Sequence, residues 1–123
     1  METCGAASRE VFERLAEVVD LFLFDLHCSN RHAHLELTGA SNERILDNLA
    51  RLVAVGAEVV VRVPLIPTIN DDEETVRAMA RLAAERGVAR ITLLPFNPAT
   101  AGKYSWVRRE LELGDVHRQS PEY

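Results

Sequence analysis

Long apolar runs are absent from this sequence, and so is any excess of basic residues. No stretch approaches the roughly 18 apolar residues in a row that a membrane span requires. No signal-peptide pattern is read at Met1. Lys and Arg number 14 against 19 Asp and Glu, for a formal net charge of -5 and a pI ≈ 5.3. That balance argues against nucleic-acid or membrane-surface binding, since both favour a basic face. Cysteine is scarce. Cys4 and Cys28 lie far apart and lack metal-ligand spacing, so they read as free cytoplasmic thiols rather than a disulfide framework. No glycine loop of the phosphate-cradling kind, no G-x-S-x-G and no Walker motif occurs.

What remains is an ordinary globular composition. The 123 residues predict one domain, and 47% of them are hydrophobic. At this length folding buries roughly two-thirds of the unfolded chain's surface, which is enough for a core.

Helix and strand signals alternate along the chain. Ser8 is placed to cap a helix running to about Val18, with Val11, Phe12, Leu15 and Val18 on one face. An apolar strand, Leu21–Leu26, follows. Ser29–Leu37 reads as a loop with a helical turn. Ser41 or Asn42 caps a second helix with Ile45, Leu49, Leu52 and Val53 as its stripe, and Gly56 suits its stop. "AEVVVRVPLIP" is a second strand, whose valines suit a strand covered on both faces. In "NDDEETVRAMARLAAERG", Asn70 with Glu73 or Asp71 with Glu74 fits a capping box, and Gly87 ends the helix. "ARITLLPFN" is the third strand, and a short helix is expected around Ser105–Glu110. The alternation predicts an α/β fold of about three parallel strands with covering helices.

Ligands in such folds bind at the carboxyl ends of the strands. Asp25 and His27, two apart, share a strand face. Arg62 sits inside "VVVRVP", and Asn97 closes the third strand. A buried arginine needs a carboxylate, which is either Asp25 or one on a ligand. Singly these residues also suit caps, surface sites or an inter-strand ion pair. Their convergence at three strand ends predicts a small-molecule pocket. His32 and His34 lie two apart on the loop and are not expected to bind metal.

At these residues the sequence resembles the radical S-adenosylmethionine (SAM) family, and within it the activating enzymes of glycyl-radical enzymes. The resemblance rests on "ETCG", "FDLHCSNRHAHLELTGASNERILDNL", "VRVPLIPTIND", "ITLLPFN" and "GKYSW", which are collinear and span almost the whole chain. It implies a partial (β/α)6 barrel whose strand ends hold SAM against a [4Fe–4S] cluster. The reduced cluster cleaves SAM to a radical that takes hydrogen from a glycine of a partner enzyme. Asp25 matches a carboxylate near SAM, and Glu2 and Thr3 fall on a D-T-x-G segment. That segment and Asp25 can also line a monovalent-cation site. Arg62 matches a SAM-binding arginine. His27 stands where lysine is usual, and Asn97 where histidine is usual. Both retain hydrogen-bonding capacity.

The family's C-x3-C-x2-C motif and its glycine-glycine-glutamate stretch are missing, and two cysteines cannot supply a three-cysteine site. The expectation is a C-terminal fragment, residues 1–123 being half a barrel, that holds no cluster and is inactive alone. A complementing N-terminal half in trans and self-association through an unpaired strand at Leu21–Leu26 or its counterpart follow from it. The alternative is a non-catalytic binding or scaffold module.

Overall fold

The computed structural model describes residues 1–110 and Gln119. Its elements run β1 (Glu2–Thr3), α1 (Arg9–Ala16), β2 (Phe22–Asp25), α2 (Arg31–Thr38), α3 (Glu43–Ala54), β3 (Val59–Pro64), α4 (Glu73–Glu85), β4 (Arg90–Leu94) and α5 (Thr100–Trp106). The four strands are parallel and adjacent in sequence order, β1-β2-β3-β4. A strand order that never reverses puts every right-handed crossover on the same face. The helices accordingly build one core: Phe12 of α1, Ile45, Leu49 and Leu52 of α3, and Met79 and Ala83 of α4 pack on Phe22, Phe24, Val59, Val61 and Val63 of the sheet. This is the layering of a partial (β/α) barrel, not of a doubly wound sheet.

Several expectations are corrected. Among the described residues the sheet has four strands, because two-residue β1 is too short to show periodicity and exists through its pairing with β2. The Leu21–Leu26 strand is therefore internal. β3 is covered on one face only: Val59, Val61 and Val63 are buried, while Val60, Arg62 and Pro64 are half-exposed. In α1 only Phe12 is buried; Val11, within the helix, is exposed, and Val18 faces solvent because the helix stops at Ala16. The expected loop at Ser29–Leu37 holds α2, whose start is capped by the Asn30 side chain accepting from the His32 and Ala33 amides. Asp72, not Asn70 or Asp71, caps α4 by accepting from the Thr75 amide. The last short helix, α5, begins earlier than expected. The stops at Gly56 and Gly87 hold, both at φ 78, which favours glycine.

Gly5 is demanded by packing. It has φ 76, and a Cβ there would lie 2.2 Å from the Phe24 ring. No other residue lets the chain leave β1 across that core aromatic.

Candidate functional site

Asp25 and Arg62 are direct register partners on neighbouring parallel strands, so their side chains emerge side by side on the face away from the helices. Arg62 donates from Nε to Asp25 Oδ1 at 2.7 Å and from Nη2 to Oδ2 at 3.0 Å. This is the two-pronged geometry that suits a guanidinium to a carboxylate. Its Nη1 donates to Glu2 Oε1 at 2.7 Å. Three adjacent strands thus meet in one cluster of two carboxylates and one guanidinium. The Arg62 side chain is 17% exposed and Asp25 23%, whereas Glu2 is 67% exposed and forms the rim. The bonds to Asp25 and then to Glu2 hold Arg62 further into its protonated range. The Arg62 hydrogen bond keeps the Glu2 carboxyl below its ordinary value. The expected carboxylate for Arg62 is therefore Asp25, with Glu2 as a second partner.

The remaining sequence-predicted residues lie apart from this ion cluster. His27, half-buried at the end of β2, has its imidazole lowered below the ordinary 6.5 by burial, against an opposing pull from Asp25. The Thr3 hydroxyl oxygen accepts from the Gly5 amide at 3.0 Å and shapes the turn after β1. Asn97 is exposed and accepts from the Ala99 amide at 3.1 Å, so its side chain closes a local turn. Two of the three expected strand ends thus join through hydrogen bonds, and β1 replaces the third.

Sequence reasoning missed the residues that hold this end of the sheet together. Asn48 on α3 donates to the Gly5 and Ala7 carbonyls, each at 2.9 Å, and pins the loop after β1. Asn42 donates to the Cys28 and Ser29 carbonyls and pins the loop after β2. It therefore serves the neighbouring loop and makes no side-chain cap bond to α3. Asn70 donates to the His27 and Pro64 carbonyls at 3.0 and 2.9 Å and accepts from the Ile66 amide at 2.6 Å. It ties the end of β2 to the end of β3, beside the Asp25–Arg62 pair. All three are at most 2% exposed. One signal was available: Asn48 falls three residues after Ile45 and one before Leu49, on the buried stripe of its helix.

A cavity of about 400 Å³ lies over the ends of β2 and β3, with His27, Cys28, His34, Ile66, Ile69 and Asn70 among its walls. Cys4 is exposed and Cys28 buried, and both are free thiols. Among the described residues no group of three or more His, Cys, Asp or Glu is placed to hold a metal ion. The donor set present does not fit a [4Fe–4S] cluster, which needs several thiolates together. No helix among the described residues is long and apolar enough to cross a membrane.

No family model matches the chain. It is, however, 34% identical over 124 residues to the trans-4-hydroxy-L-proline dehydratase activating enzyme of Clostridioides difficile, covering 99% of this chain and 41% of that protein. It is 39% identical over 118 residues to the isethionate sulfite-lyase activating enzyme of Oleidesulfovibrio alaskensis, covering 94% of this chain and 38% of the relative. The chain is a homologue of the glycyl-radical-enzyme activating enzymes. A crystal structure of a domain of pyruvate-formate lyase-activating enzyme from Bacteroides vulgatus superposes with a TM-score of 0.70 at 27% identity, over 79% of this chain and 62% of that one. This homologue has the radical SAM fold, as a partial barrel. It spans about two-fifths of the length of the curated relatives it matches.

Proposed function

We propose that this chain is the C-terminal part of a radical SAM activating enzyme, whose whole form cleaves SAM reductively and generates a glycyl radical on a partner enzyme. Residues 1–123 form half of the barrel. Glu2, Thr3, Asp25, His27, Arg62 and Asn97 are its SAM-facing residues. The observation that carries the reading is the ion cluster at the carboxyl ends of β1, β2 and β3. Its two carboxylates against one guanidinium leave one negative charge. SAM offers a carboxylate, an ammonium and a sulfonium, so its net positive charge suits that excess. Arg62 would hold the SAM carboxylate, while Asp25 and Glu2 would face its cationic groups. Of these six residues Asn97 fits least, since it is exposed and its side-chain oxygen accepts from the Ala99 amide. The chain alone performs no radical chemistry in this reading, because it lacks the cluster's ligands. An N-terminal half supplied in trans would complete it, the site of action being cytoplasmic.

A second reading is a non-catalytic binding or scaffold module. Calorimetric titration of SAM into wild type and Arg62→Met, with thermal unfolding alongside, separates the two. Binding that disappears in the variant at similar stability supports the SAM reading. Absence of binding by wild type, both alone and after co-expression with a cysteine-bearing N-terminal half, supports the scaffold reading.

A further inference from the structure

The cavity over the ends of β2 and β3 is separate from the Arg62 cluster, since neither Arg62, Asp25 nor Glu2 lines it. Three of its polar side chains are already engaged. Asn70 is committed to three backbone partners. The Cys28 thiol points to the Asn30 carbonyl, and the Thr38 hydroxyl donates to the His34 carbonyl at 2.7 Å.

His34 is only half engaged. It is 4% exposed, and its Nδ1 lies 2.7 Å from the Ala40 carbonyl oxygen. A carbonyl only accepts, so Nδ1 carries the ring hydrogen. The neutral ring then presents the lone pair of Nε2. That atom has no partner among the described residues, yet no buried side-chain nitrogen there is left unsatisfied. Nε2 therefore opens into the cavity that His34 lines.

The surroundings select the ligand. Among the described residues no Lys or Arg lines the cavity, and Glu110 supplies a carboxylate at its rim. Tyr104 contributes an aromatic ring, and Leu37, Ile66 and Ile69 give apolar walls. An anion would meet acceptors and a negative charge, whereas an ammonium would meet a lone pair, a carboxylate and a ring face. We propose that this cavity is a binding subsite for a small primary ammonium with a short apolar body. The ammonium donates to His34 Nε2 and is drawn by Glu110, while its carbon chain lies against Leu37, Ile66 and Ile69. The subsite goes beyond the SAM reading and shares only His27 with it.

The test is nitrogen-15 NMR of the histidine rings during titration with n-butylammonium chloride, with sodium butyrate as control. His34 is expected in the Nδ1–H form, with a saturable shift of Nε2 on adding butylammonium and none on adding butyrate. His34→Asn keeps the donor that Ala40 needs and removes the cavity acceptor. Binding should weaken about tenfold, the worth of one hydrogen bond to a charged group. A hydrogen found on Nε2, equal shifts with both ions, or unchanged affinity in His34→Asn overturns the proposal. Should His34→Asn fail to fold, Glu110→Gln on the exposed rim replaces it: weaker butylammonium binding supports the subsite, and unchanged binding overturns it.

Discussion

β2 and β4 are short parallel strands of one sheet, held in different ways. β2 lies between two neighbours, and Phe22 and Phe24 on its helix-facing side are 0% exposed. The loop that follows it is pinned by Asn42 and Asn70. β4 pairs only with β3 among the described residues. Its Ile91 and Leu93, aligned with the buried Val61 and Val63, remain 39% and 40% exposed. The difference is instructive because both strands are rich in apolar residues. Burial depends on whether a helix and a neighbouring strand cover a position. The rigid, polar-stitched ends of β1 to β3 are where the ion cluster stands, and a precise site needs such support. Among the described residues the β4 edge offers unpaired backbone groups and apolar side chains, the ordinary recipe for association.

Four measurements would break or sharpen this contrast. The largest effect is expected from Gly5→Ala, which combines a left-handed backbone with a clash on Phe24. We expect a loss of about 3 kcal/mol in urea unfolding, and a near-neutral result would mean that the ring readily moves aside. Asn70→Ala comes next. It strands two half-buried carbonyls and one amide and should cost about 2 kcal/mol. The same denaturant series checks it, and a cost below that of an average surface change would remove the stitch from the account.

On the other strand, Leu93→Lys should change stability by less than about 1 kcal/mol, as for surface sites. We also expect it to lower self-association, read by light scattering across a concentration series. A wild type that stays monomeric at every concentration would refute the sticky edge. The smallest effect is the pH dependence. His27 and Glu2 both have folded values below their ordinary ones. The unfolded chain therefore binds more protons between the folded and unfolded values, and stability rises with pH there. The His27 contribution is complete above pH 6.5 and falls as pH drops toward the lowered folded value. The Glu2 contribution is complete above 4.5 and is lost further into acid. Thermal unfolding in a pH series should show both declines, and His27→Gln should erase the upper one.

Much of this was legible in the residues themselves. Periodicity located α3, β3, α4 and β4 to within a few positions, because a stripe of Ile45, Leu49 and Leu52 or a run of valines records its own burial. The demand of Arg62 for a carboxylate was also readable, since an enclosed guanidinium cannot stand alone. Asp25 was one of two candidates for that role, and the second partner, Glu2, was not foreseen. That choice depends on strand register and on β1, two residues that become a strand only when β2 lies beside them. The roles of Asn42, Asn48 and Asn70 were hidden for the same reason, because an amide side chain names no partner until the fold brings a carbonyl to it. Local chemistry thus set which segments curl or extend and which charges must pair. The tertiary structure decided which strand ends share a site, because hydrogen bonds between residues 37 to 60 positions apart exist only once the sheet has closed.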